Sequence, residues 1–155
     1  MQQIARCKQA LSVLSASAGS VHLSGGEIAE VGEYLNKLLH DWEVKRPDAK
    51  ITTQWKPNHT SVTILAETTL TQAIHNILDN AADVSTDSIE WIASWDNKLL
   101  TLHIKDDGPG ITNEEMTSIG KQPFENTNHG LGLGLFLSHG IIERLGGKVI
   151  LNNDV

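Results

Sequence analysis

The sequence predicts an α/β layer fold, and three observations carry that expectation. Segments with apolar residues at helical spacing interleave with short runs rich in β-branched and aromatic residues. Their order is helix, helix, two strands, helix, two strands, loop, helix, strand, which is not the strict strand–helix alternation of a Rossmann sheet. The chain has 155 residues, 39% of them hydrophobic, which is enough for one packed core and too little to expect two.

Taken in order, QQIARCKQALSVLSASAG carries Ile4, Cys7, Leu11, Leu14 and Ala18 at alternating three- and four-residue steps. Such a heptad stripe on good helix formers predicts a helix that needs a partner helix, stopped at Gly19. SGGEIAEVGEYLNKLLHDWEVKRP reads as an amphipathic helix with Ile28, Val31, Tyr34, Leu35, Leu38 and Leu39 on one side, ended by Pro47. AKITTQWKP and SVTILAE read as strands around the turn signal Pro57-Asn58. TTLTQAIHNILDNAADVS returns to helical spacing through Leu70, Ala73, Ile74, Ile77, Leu78 and Ala81. SIEWIASW and LLTLHIKD predict a hairpin across Asp96-Asn97-Lys98 that runs into DDGPGI. A short polar helix is expected over TNEEMTSIG, a loop from Lys121 to His129, a helix from about Gly132 to Leu145, and a further strand at KVIL.

Composition excludes several classes of function. No apolar run reaches the roughly 18 residues of a membrane span, and no signal-peptide pattern opens the chain. A net charge of −7 argues against a nucleic-acid footprint. It leaves a nucleotide possible, because phosphates are commonly met by backbone N–H groups and a metal. The single cysteine excludes an internal disulfide framework and fits a reducing compartment, the cytoplasm.

Three segments carry candidate chemistry. In HNILDNAAD, Asn76, Asn80 and Asp83 fall at i, i+4 and i+7 of one helix face. A solvent-facing polar stripe explains them simply; a hard-cation site is the sharper reading, since an asparagine carbonyl suits Mg²⁺ that shares its shell with phosphate. In DDGPGI, Asp106 ends a strand, while Gly108 and Gly110 allow close backbone approach; an ordinary turn has the same residues. In NTNHGLGLGLFLSHGIIERLGG, Gly130, Gly132 and Gly134 open a helix, although each glycine costs about 1 kcal/mol there relative to alanine. Helix N-termini favour phosphate, and close packing is the rival explanation.

The four stretches NILDN, DDGPG, Pro123-Phe124 and GLGLGL, in this order, resemble the N, G1, F and G2 boxes of the sensor histidine kinase catalytic domain, within the GHKL ATPase superfamily. The resemblance runs from about Leu23 to Val155. GLGLGLFLS together with ARCKQAL is most similar to the redox-responsive RegB/PrrB-type branch. It implies a Bergerat two-layer α/β sandwich, a mixed sheet covered by helices on one face, over residues 21–155. Residues 1–20 would be the second helix of a dimerisation hairpin.

Site roles follow from the same resemblance. Asn80 would hold the Mg²⁺ that bridges the ATP phosphates, with Asn76 one turn earlier as its catalytic neighbour and Asp83 beside it. Asp106 would accept a hydrogen bond from the adenine amino group, and losing such a charge-assisted bond, about 1.5–3 kcal/mol, gives at least tenfold discrimination against guanine. Gly108, Gly110 and Ile111 would admit base and sugar. Phe124, Gly130, Leu131, Gly132, Leu133 and Gly134 would line the phosphate side and hinge a lid.

Hydrolytic members of the superfamily carry a glutamate general base one turn before the metal-binding asparagine. Here that place holds Asn76, which takes no proton near neutrality, whereas an acceptor imidazole with a pKa of about 6.5 needs no such base. The expectation is therefore phosphoryl transfer from ATP to a histidine, for relay to a response-regulator aspartate, with catalysis mainly by positioning and charge neutralisation. None of the seven histidines sits in an acceptor-like segment, so the acceptor is expected upstream of Met1, in a full-length homodimer anchored in the inner membrane, and the closing strands are expected after KVIL. A GHKL-type ATPase and a degenerate nucleotide-binding scaffold stay open as alternatives. Cys7, on the heptad stripe, is either a small buried residue or an intersubunit redox switch.

Overall fold

The computed structural model describes residues 26–57, 61–118 and 133–153. The N-terminal heptad helix with Cys7, and the stretch containing Phe124, Gly130, Leu131 and Gly132, lie outside the described residues. In chain order the elements are β1 (Glu27–Glu30), α1 (Val31–Lys45), β2 (Ile51–Pro57), β3 (Thr63–Ala66), α2 (Thr68–Val84), β4 (Ile89–Trp95), β5 (Leu100–Lys105), α3 (Asn113–Ser118) and α4 (Leu133–Arg144).

Strand β4 is the centre of the fold. Ile89, Trp91, Ala93 and Trp95 alternate along it and are all buried on one face. It pairs in parallel with β2 and antiparallel with β5, giving a mixed sheet ordered β2-β4-β5. Asp96 accepts hydrogen bonds from the Lys98 and Leu99 N–H groups, at 2.7 and 2.9 Å, and so closes the β4–β5 hairpin where the turn residues predict it.

One face of this sheet is covered by α1 and α2. Leu35, Leu38 and Trp42 from α1, with Ile74, Leu78 and Ala81 from α2, form one core with the inward residues of β4. Trp55 joins them from β2, its ring 6.5 Å from Trp91 and 6.3 Å from Trp95 in tilted and edge-on arrangements. On the opposite face Thr52, Gln54, Lys56, Thr101, His103 and Lys105 are exposed. This is the expected two-layer sandwich with helices on one side. Helix α4 adds to the helical layer by packing on α2 through Ala73, Leu137, Ile141 and Ile142. It ends at Gly146, with φ +85, where the Gly146 and Gly147 N–H groups bond the Glu143 and Ile142 carbonyls in a Schellman closure.

Two sequence expectations are corrected, at Glu27–Glu30 and at Lys148–Leu151. Glu27–Glu30 is a strand and not the first turn of α1: it pairs antiparallel with β3, so Ile28 faces Leu65 across the pair and stands 74% exposed. The helix starts at Val31, whose N–H bonds the Val62 carbonyl at 2.9 Å. The two strands around Pro57 enter different sheets, β2 joining β4 and β3 joining β1. Finally, Lys148–Leu151 is not paired as a strand with any described residue, and Ile150 is 62% exposed.

Candidate nucleotide site

Helix α2 is the element on which the candidate residues are arranged, and α1 fixes its rotation. The Tyr34 hydroxyl meets Thr71 Oγ1 at 2.9 Å, and His75 Nε2 lies 3.0 Å from the Leu38 carbonyl. Burial is the main reason the His75 pKa is lowered, so the ring is a neutral donor to that carbonyl. Further along, the Trp42 indole donates to Asp79 Oδ1 at 2.9 Å, and Arg46 reaches Asp79 and Asp83 at 3.4 and 3.1 Å. With that side committed to α1, Asn76 and Asn80 turn elsewhere.

The two asparagines differ. Asn76 is buried, 7% exposed, its Oδ1 accepting from Gln72 Nε2 at 3.2 Å. A Cβ on Gly134 would sit 3.9 Å from its Cβ, so the first turn of α4 passes in contact with it. Asn80 is exposed. A simple solvent-facing stripe therefore describes Asn80 but not Asn76. Asp83, grouped with them by spacing, is held by Arg46.

The DDGPG turn is drawn onto the end of α2. Asp106, half-buried, accepts the Gly108 N–H at 2.9 Å. Any Cβ on Gly108 would stand 2.8 Å from both Val84 Cγ2 and Asp106 Oδ1, so only glycine fits between β5 and α2 there. Asp107 ties the two elements: it accepts from Ser85 Oγ at 2.6 Å, Thr86 Oγ1 at 2.6 Å, Thr86 N at 2.8 Å and Asp87 N at 3.0 Å. These bonds, the Ser85 hydroxyl first, hold its carboxyl far below the usual carboxylate range. On the far side of the turn, Gly110 takes φ +78, and the Asn153 amide clasps Ile111, accepting its N–H at 2.9 Å and donating to its carbonyl at 2.6 Å. Thr112 and Glu115 then form a reciprocal capping box that starts α3.

Three of the sequence stretches thus meet on α2: NILDN within it, Asp106 and Gly108 against its C-terminal Val84, and Gly134 against Asn76. Leu133 opens α4, and Gly110 and Ile111 continue the turn. Among the described residues no cluster of three or more His, Cys, Asp or Glu could hold a metal. A cation here would rest on the exposed Asn80 carbonyl, a hard oxygen donor, and on ligand phosphates and water. That donor set suits Mg²⁺, which keeps several waters and binds through few protein oxygens.

Sequence reasoning missed Asp107, Asn153 and the Trp42–Arg46 pegs. The partners of Asp107 and Asn153 lie twenty or more residues away, with no local signal. The pegs had one: Trp42 and Arg46, like Asp79 and Asp83, are spaced i, i+4 on facing helices.

A sandwich whose asparagine helix meets an Asp-Gly turn on one side and a glycine-opened helix on the other has the layout expected of the ATP-binding domain that the four sequence stretches resemble. Residues 66–155 match the family described as histidine kinase-, DNA gyrase B-, and HSP90-like ATPase, and the chain belongs to that family. It is 36% identical over 97 residues to the C4-dicarboxylate transport sensor protein DctB of Pseudomonas aeruginosa, covering 57% of this chain and 16% of that protein. It is 31% identical over 88 residues to sporulation kinase E of Bacillus subtilis, covering 55% of this chain and 12% of that protein. The chain spans only a small part of both curated relatives. Among solved structures, the catalytic domain of histidine kinase ThkA superposes with a TM-score of 0.62 at 20% identity, over 77% of this chain and 80% of that one. Mycobacterial sensor histidine kinase MprB gives 0.59 at 23%, over 78% and 80%. These two likenesses establish the fold.

Proposed function

We propose that this domain binds Mg-ATP and delivers the γ-phosphoryl group to a histidine of a sensor kinase. The observation that carries the reading is Asn76: it is buried beside Gly134, at the place where hydrolytic relatives would need a proton-accepting glutamate. An amide there orients and hydrogen-bonds but takes no proton from water. Asp106 would select adenine, Gly108, Gly110 and Ile111 would bring the backbone close to base and sugar, and Gly134 with its neighbours Gly130, Leu131, Gly132, Leu133 and Phe124 would serve the phosphate side. Mg²⁺ on Asn80 would supply charge neutralisation of the phosphates. Asp83 would lie beside that cation.

Calorimetric titration of ATP and ADP, with and without Mg²⁺, into wild type, Asp106→Asn and Asn80→Ala tests this. Loss of binding in Asp106→Asn and loss of Mg²⁺ dependence in Asn80→Ala are expected. A folded wild-type chain that binds neither nucleotide would sink the reading and favour a degenerate scaffold. Steady ATP hydrolysis by the isolated chain would favour an ATPase.

The finer reading concerns the longer protein. GLGLGLFLS and ARCKQAL support the RegB/PrrB-type branch, a homodimer through residues 1–20, an acceptor histidine upstream, a response regulator as the phosphoryl acceptor, and anchoring in the inner membrane. Cys7 would be its redox sensor by intersubunit disulfide. Non-reducing gels of the oxidised full-length protein should then show a dimer; monomer alone counts against it.

A further inference from the structure

Helix α2 carries two carboxylates, Asp79 and Asp83, on the same turns as Asn80. Asp79 precedes Asn80 by one position, and Asp83 follows it by three, where helix neighbours have Cβ atoms about 5–6 Å apart. Any triphosphate held near Asn80 meets their field. The structure sets one guanidinium against them: Arg46, just after α1, reaches Asp79 Oδ1 at 3.4 Å and Asp83 Oδ1 at 3.1 Å, with a longer approach to exposed Asp48 at 3.7 Å. Arg46 itself is held in place. Its side chain is only 23% exposed, and Asp79 is also fixed by the indole of Trp42, which is anchored in the core. The fork pegs α2, and it also sets a positive charge against the carboxylates of that helix. It reduces, by one unit, the negative charge on the part of α2 that carries Asn80.

We infer that Arg46 is a positioning residue for the nucleotide's phosphates, acting through Asp79 and Asp83 rather than by touching the ligand. The inference rests on the nucleotide reading above. Asp83 then belongs to the site as a carboxylate that Arg46 offsets, and without Mg²⁺ the bare pair of carboxylates would repel ATP more strongly than ADP, and ADP more than AMP. Screening by salt should flatten that order, because the charges are partly exposed.

The test is titration of AMP, ADP and ATP into wild type, Arg46→Gln and Arg46→Lys at low and high salt, read for the charge order without Mg²⁺ and for binding itself with Mg²⁺. Arg46→Gln should weaken ATP about tenfold at low salt and AMP hardly at all, with the gap closing at high salt and Arg46→Lys recovering most of the loss. A merely structural role would weaken all three nucleotides alike, and that result overturns the inference, as does no change for ATP. Wild type that binds no nucleotide overturns the parent reading itself, a different outcome. Should Arg46→Gln fail to fold, Asp83→Asn decides: it leaves Arg46 with one carboxylate fewer, so ATP should tighten relative to AMP. Unchanged or weakened ATP binding there overturns the inference.

Discussion

Along its α1 side, helix α2 is pegged at successive turns by Tyr34 on Thr71, the Leu38 carbonyl on His75, Trp42 on Asp79 and Arg46 on Asp83. Along its α4 side it meets small or apolar groups, Ala73 against Ile141 and Asn76 against Gly134. Directional bonds fix rotation about the helix axis; packing of small residues tolerates sliding. The contrast shows how one helix can be held firmly along one side while the other side stays adaptable. It also puts the polar pegs and the nucleotide amides on the same few turns, so damage to one side should be readable on the other.

The largest expected effect comes from the core both sides share. Leu78→Ala, at a fully buried position, should lower stability by about 2–5 kcal/mol in urea denaturation. Next, two glycines compare the α4 side with the tight turn against the C-terminal end of α2. Gly108→Val would drive its Cβ into Val84 and Asp106 and should cost about 1–3 kcal/mol, with loss of adenine selectivity in titrations. Among the described residues a Cβ on Gly134 meets only an ordinary contact with Asn76, so Gly134→Ala should leave stability unchanged or raise it by up to about 1 kcal/mol. If Gly134→Ala destabilised as much as Gly108→Val, the adaptable side would be no looser than that turn.

The pegged side should show a pH signature. The folded-state pKa of His75 is depressed by burial below the unfolded value of about 6.5, so the unfolded chain binds the extra proton first. Stability is then fully present above pH about 6.5 and falls with decreasing pH until the lowered folded value is passed. His75→Gln should flatten the slope of urea midpoint against pH in that window; an unchanged slope would assign it to other groups. A small, local effect is expected of Asn153→Ala, which removes the clasp on Ile111. Amide exchange at Ile111 should quicken, with a stability loss of about 0.5–1.5 kcal/mol.

Elements with a local signature were legible. The β4–β5 hairpin had alternation and an Asp-Asn turn, α2 had its apolar stripe, and α4 had its closing glycines. Strand β1 was hidden because Ile28 lies in phase with Val31 and Leu35 at i, i+3 and i+7, so helical spacing absorbed it; only pairing with distant Thr63–Ala66 makes it a strand. In the site, Asp106, Gly108 and the asparagines stood out by type and order. What Asp83 touches did not, since Arg46 is 37 residues away and the helix wheel alone groups it with Asn80. The knot around Asp107 was hidden for the same reason.

All four tryptophans of the chain, Trp42, Trp55, Trp91 and Trp95, lie in the described sandwich, and three form a chain of rings at 6.3 and 6.5 Å. Transition dipoles that close couple. The folded domain should therefore show an exciton signature in its circular dichroism that disappears when β2 parts from β4. With Trp42 hydrogen-bonded to Asp79, indole emission reports on the pegged side of α2 as well. The domain thus carries its own optical gauge, with one set of chromophores reading the sheet and another the helix that bears the candidate site.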